Sequence, residues 1–136
     1  RMSVREQLQS FPKIAVYDEN KFDTYEKSTL FDQDRIHLAA NLFFEQYNAF
    51  VYEQSSTIIE MIANDQLRNV FSEWEVFGPT YAFGEVKITT IQTANFQYIV
   101  HFESTMDNEK VKIGGLLYFT QINGELFVTS FVFNEL

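Results

Sequence analysis

The hydrophobic period of this chain changes once, near residue 84, and that change constrains the fold more than any motif in it. Upstream, Ile36, Ala40, Phe43, Tyr47, Phe50 and Val51 recur at steps of three and four, which puts them on one face of an α-helix. Phe44 widens the stripe. Downstream the step is two. Val86, Ile88 and Thr90 alternate with Lys87, Thr89 and Ile91, and Phe96, Tyr98, Val100 and Phe102 alternate with Gln97, Ile99, His101 and Glu103. Val111, Ile113, Leu117 and Phe119 alternate with Lys112, Leu116, Tyr118 and Thr120, and a last strand runs from Leu126 to Phe133. Helices first and strands afterwards predict an α+β domain, with the helices laid across one face of a curved four-stranded antiparallel sheet.

Local signals set the boundaries. Asp32 or Asp34 can cap the first helix, which the pattern extends for four to five turns. Thr57-Ile58-Ile59-Glu60 fits a capping box and starts a second helix carrying Ile58, Ile59, Ile62 and Ala63 inward. Asp65 can cap a third, with Leu67, Val70, Phe71 and Trp74 on one side, and Gly78-Pro79 closes the helical half. Met106-Asp107-Asn108-Glu109 reads as a turn. Asn123-Gly124 is the strongest turn signal, because a type I′ hairpin needs positive φ at both central residues. Gly114-Gly115 lies inside a strand pattern and predicts a bulge or bend. In the last strand Phe127, Phe131 and Phe133 are expected to share one face, with Leu126, Val128 and Val132 on the other. Residues 1–31 are weakly patterned, with a short strand possible at Lys13–Tyr17 and punctuation at Pro12. They read as a lead-in to one domain spanning 32–136. Apolar residues on both faces of the last two strands call for cover outside the sheet, by the lead-in or by a partner subunit.

Composition removes several classes of function. Cysteine is absent, so there is no disulfide, thiolate nucleophile or cysteine-based metal site. Ten Lys and Arg against nineteen Asp and Glu give a net charge of −9, a poor match to a nucleic-acid backbone. Fifteen Phe, seven Tyr and one Trp make disorder untenable. The carboxylates are dispersed, so a two-carboxylate hydrolase has no support, and neither a nucleophile elbow nor a phosphate-cradling glycine loop occurs.

What remains for chemistry is sparse. His37 follows an apolar helix position. His101 shares a strand face with Glu103, two residues on, so the two could form an acid/base pair; the simpler reading is a satisfied polar residue on a sheet face. Tyr81, Tyr98 and Tyr118 could be polar tips in a cavity between helices and sheet, although plain core packing is the commoner role for such residues. No catalytic, cofactor-binding or metal-ligating residue is assigned, no cofactor is expected, and the chain does not read as an enzyme.

The layout resembles the nuclear-transport-factor-2-like cone. Within that group, Asn41-Leu-Phe-Phe-Glu-Gln-Tyr-Asn48, Tyr52, Ile58 to Ile62 and Leu67 to Trp74 resemble the bitopic inner-membrane scaffold subunit of type IV secretion and conjugation machines. Glu45-Gln46-Tyr47-Asn48 matches that family's E-x-Y-[ND] segment, and Glu85 to Ile91 and Ala94 to Phe102 resemble its strands. Neither Pro12 nor Pro79 follows an asparagine, so the Asn-Pro-x-Gly turn of Gram-negative members is missing, and the likeness points to the Gram-positive type. The resemblance implies an extracytoplasmic scaffold acting through self-association, as a dimer or trimer, and through other channel subunits, without direct contact to nucleic acid. It also implies an N-terminal membrane span upstream of Arg1-Met2-Ser3, where the chain is expected to be cut from a longer protein. Glu45, Tyr47, Asn48, Phe127 and Phe131 are the expected interaction residues. The alternative is a small-molecule enzyme or ligand-binding protein of the same fold, of the polyketide-cyclase or ketosteroid-isomerase kind, which needs His101, Tyr98 or Tyr118 pointing inwards beside a carboxylate.

Overall fold

The computed structural model describes residues 25–26, 33–73, 81–94 and 96–136. The expected strand at 13–17, Pro12, Asp32, Trp74 and Gly78-Pro79 fall outside them. Strand β1 (Tyr25–Glu26) is followed by helices α1 (Gln33–Glu53), α2 (Thr57–Glu60) and α3 (Asp65–Ser72). Strands β2 (Lys87–Ala94), β3 (Gln97–Met106), β4 (Val111–Ile122) and β5 (Glu125–Glu135) complete the order. The four long strands form an antiparallel meander in sequence order. β1 pairs with the end of β4, Tyr25 opposite Ile122 and Glu26 opposite Gln121, on the flank where β3 has run out. The class is α+β, as the change of period predicts. None of the helices among the described residues is long and apolar enough to cross a membrane.

Helix α1 runs for 21 residues, slightly longer than expected, and buries Ile36, Ala40, Phe43, Phe44, Tyr47 and Phe50. Asp34 lies in its first turn, where a carboxylate suits the positive end of the helix dipole. Two caps differ from expectation. Thr57 does not cap α2; Ser56 takes the cap position without a side-chain bond, and the helix stops after one turn. Asn64, not Asp65, caps α3: its Oδ1 accepts from the Leu67 N–H at 3.1 Å. Asn64 also donates from Nδ2 to the Thr129 carbonyl at 3.0 Å, which joins the helix start to β5. Ile62, expected inside α2, instead makes a parallel bridge to Val128 on the edge of β5.

The register of the sheet decides which side chains reach the helices. Tyr98, Val100, Phe102, Ser104 and Met106 are the buried face of β3, and Ile113, Leu117 and Phe119 continue it on β4. Both edge strands then slip by one residue. On β2, Ile88 opposes Phe102 while Thr90 opposes His101, so Thr89 is the extra residue and Ile91 shares the face of Ile88. On β5, Ser130 opposes Tyr118 while Val128 opposes Phe119, so Thr129 is the extra residue. The expected grouping of Phe127 with Phe131 and Phe133 is therefore overturned. Val128, Phe131 and Phe133 face the helices, while Phe127, opposite Thr120, lies on the outer face, because an inserted residue reverses the alternation beyond it.

Gly114 and Gly115 carry neither bulge; the pairing runs through both without a shift. A side chain on Gly115 would collide with the Val132 carbonyl and with Phe133, so this glycine makes room for close approach of β5. Asn123 (φ 53) and Gly124 (φ 79) have the backbone the hairpin requires. Asp107, Asn108 and Glu109 are all left-handed in the β3–β4 turn.

Between α1 and the sheet the rings pack edge to face. Phe131 is their centre: it lies 4.9 Å from Phe43, 5.9 Å from Phe44 and 6.0 Å from Tyr47, and stacks on Phe102 at 5.8 Å. Each such contact adds to the burial of the rings themselves. Replacement of Phe131 by Ala is expected to cost about 3–5 kcal/mol in urea unfolding. Phe127→Ala, on the half-buried outer face, should cost distinctly less; equal losses would contradict the extra residue at Thr129.

Candidate functional site

Of the five expected interaction residues, only Glu45 is fully exposed. Tyr47 and Phe131 lie in the core, 1% and 0% exposed, so their rings are not on the surface of this chain. Phe127 is half-buried on the outer face of the sheet. Asn48 is half-buried and has a definite task. Its Nδ2 donates to the Phe83 carbonyl at 3.0 Å and its Oδ1 accepts from the Phe83 N–H at 2.8 Å. One side chain thus satisfies both backbone groups of a residue in the segment leading into β2, as a neighbouring strand would. Phe83, held this way, inserts its ring 4.7 Å from Tyr47, 5.1 Å from Phe44 and 5.2 Å from Phe133. Within the E-x-Y-[ND] segment, then, Tyr47 fills the core, Asn48 pins the loop after the helices, and Glu45 faces solvent. The pairing of Asn48 with Phe83 spans 35 residues and has no local signature in the sequence.

His101 stands on the outer face, opposite Thr90 and Leu116. Its Nε2 meets the Oε1 of Gln92 at 2.7 Å. The Cα partners of Glu103 are Lys87 and Gly114, and its side chain is exposed. The imidazole is thus engaged by an amide rather than by the carboxylate two residues on. Tyr118, opposite Ile99 and Ser130, is also on the outer face. Tyr98 points inwards and is buried in the core. Tyr81 is half-buried beside it in the loop before β2, and His37 is half-buried on α1. Among the described residues no three His, Asp or Glu side chains converge to hold a metal.

A groove of about 400 Å³ opens where the end of α1 meets the β3–β4 turn, lined by Tyr52, Phe83, Gly84, Thr105, Asp107 and Glu109 among others. Its lining has carboxylates and a hydroxyl but no histidine, lysine or arginine. The walls are held in place by backbone pairing: the Gly84 N–H donates to the Thr105 carbonyl at 2.8 Å, and the Ser104 hydroxyl donates to the Gly84 and Glu85 carbonyls. Such a groove offers acceptors to a bound group, with Asp107 and Glu109 as the ionisable carboxylates in its lining.

Comparison with family models, with curated proteins and with solved structures finds no match to this chain.

Two outcomes follow from the helix. Asn48→Ala leaves the backbone N–H and carbonyl of Phe83 unpaired and is expected to cost about 1–3 kcal/mol, with faster hydrogen exchange at the Phe83 amide. Complete burial raises the Tyr47 hydroxyl well above the ordinary tyrosine range, because desolvation opposes the phenolate. The unfolded chain then loses this proton near pH 10 while the folded chain keeps it. Stability should be full below about pH 10 and fall above it, by up to about 1.4 kcal/mol per pH unit from this group. Denaturant titrations of the native chain and of Tyr47→Phe between pH 8 and 11 check this: the steep alkaline limb should flatten in the variant.

Proposed function

We propose that this domain works by association, as an extracytoplasmic scaffold module of a conjugative type IV secretion channel, with other channel subunits as its partners and a membrane span supplied outside the residues given. The observation that carries the reading is where the polar chemistry lies. The space between α1 and the sheet is taken up by Phe43, Phe44, Phe83, Phe102 and Phe131, while His101 and Tyr118 register on the opposite face of the sheet. A cone enzyme of the same fold would need those groups inside, beside a carboxylate, with room for a substrate. With His101 and Tyr118 outside and Tyr98 packed into a core of rings, the surfaces are left as the working parts. The order of elements, one long helix, two short ones and a four-stranded meander, also agrees with the resemblance carried by Glu45-Gln46-Tyr47-Asn48. The charge of −9 suits protein partners better than nucleic acid.

The test is genetic and biochemical. Deletion of the gene from a conjugative donor should lower transfer by orders of magnitude, and the full-length gene should restore it. In the same donor, crosslinking through this domain should capture channel subunits from the membrane fraction. Transfer that is unaffected by the deletion would sink the proposal, as would turnover of a small hydrophobic ketone by the purified chain.

A further inference from the structure

The groove between the end of α1 and the β3–β4 turn has two features that the packing of the domain does not require. The first is uncompensated charge. Asp107 is half-buried in its lining and Glu109 stands exposed beside it. Among the described residues neither carboxylate has an ion-pair or hydrogen-bond partner, and Lys110, next in the chain, is exposed and pairs with neither. Partial burial of a carboxylate costs solvation, and no cation among the described residues returns it. The second feature is the space itself. A side chain on Gly84 would run into the Thr105 hydroxyl, so glycine keeps this part of the groove open. The walls are fixed around that space: Asn48 holds both backbone groups of Phe83, and the Gly84 N–H pairs with the Thr105 carbonyl. Tyr52, on the last turn of α1, forms the rim on the helix side and is 76% exposed. The site is therefore in place before anything enters it.

We propose that this groove receives the guanidinium of an arginine carried by a partner protein. The proposal rests on the reading of the domain as an association module and names the chemistry its partner must present. Charge complementarity sets the sign of the occupant: the lining holds two carboxylates and no lysine, arginine or histidine, within a chain of net charge −9. Size sets its scale. A cavity of about 400 Å³ is near the lower end for ligand sites and suits one long side chain better than a folded cofactor. A bare divalent cation is a poor fit, because no three carboxylates or imidazoles converge among the described residues. Arginine is favoured over lysine by the rim and by the number of acceptors. A planar guanidinium can lie on a tyrosine ring while its fork of N–H donors reaches separate oxygens, whereas an ammonium is a single point charge. Asp107, Glu109 and the Thr105 hydroxyl supply those oxygens.

The probe is a capped Ala-Arg-Ala peptide, titrated at low ionic strength into the isotope-labelled chain and followed by amide chemical shifts. Shifts are expected at Tyr52, Phe83, Gly84 and the turn from Thr105 to Glu109, saturating with a Kd of about 1 mM. The citrulline peptide, equal in shape and uncharged, should leave the spectrum unchanged, and the lysine peptide should bind more weakly. Asp107→Asn and Glu109→Gln should each weaken binding about three- to tenfold with thermal unfolding unchanged; asparagine suits the left-handed backbone at 107. Tyr52→Leu should narrow the advantage of arginine over lysine. Shifts scattered over the acidic surface, equal binding of the citrulline peptide, or indifference to both carboxylate variants would overturn the site. Tighter binding of free agmatine than of the peptide would overturn its assignment to a protein. Should the peptide fail while crosslinking still captures channel subunits, the groove proposal falls and the association reading stands. Should the peptide bind as expected while no subunit is captured, the association reading falls and the guanidinium site stands without it.

Discussion

Strand β5 holds one residue more than β4 can pair, and the core depends on that extra residue. Thr129 is passed over in the ladder, so Val128 faces the helices on one side of it and Phe131 and Phe133 face them on the other. Without the slip, every residue between the hairpin and Thr129 would turn over, exposing Val128 and driving Phe127 inwards. The extra residue is fixed from three directions. Asn64 donates to its carbonyl, Gln97 reaches its hydroxyl at 3.3 Å, and the strand edge beside it is held by the Ala63 N–H on the Val128 carbonyl and the Val128 N–H on the Met61 carbonyl. Asn64 is at the same time the cap of α3. The start of a helix and the face of a strand are therefore set by one side chain.

From Phe131 the ring contacts extend to Phe43 and Phe44 on α1, to Phe102 on β3 and to Phe83 in the loop before β2. Phe83 is in place because Asn48 pairs with its backbone, and Phe71 on α3 closes the far end against Tyr47 and Phe50. Edge-to-face contacts need definite angles as well as burial, so the helices and both ends of the sheet are held in one arrangement. The same packing has a functional consequence: with rings filling the helix side of the sheet, His101 and Tyr118 are left on outer surfaces.

Much of this was legible from residue order. The six residues buried by α1 are those its three-and-four spacing marks, and the alternation on β3 and the positive φ at Asn123-Gly124 follow from local pattern and backbone sterics. Two of the differences share one cause. Unbroken alternation puts Ile91 and Phe127 on the wrong faces, because bulges at Thr89 and Thr129 reverse it, and a bulge is specified by what the partner strand and the neighbouring loop do. Gly114-Gly115 looked like the place for such an irregularity; its glycine is instead required by the closeness of Val132 and Phe133. Asn48 was noted for its place in a short motif, while its partner Phe83 is 35 residues away.

The sequence by itself determined the class of fold, the buried face of the long helix, the positions of the turns and the absence of thiol chemistry, because each depends on periodicity, backbone sterics or composition within a few residues. Only the tertiary structure decided which face Phe127 and Phe131 take, what Asn48 and Asn64 hold, and that His101 meets Gln92 rather than Glu103. Those depend on contacts between residues far apart in the chain, and a one-residue slip in a ladder changes them while leaving the local pattern as it was.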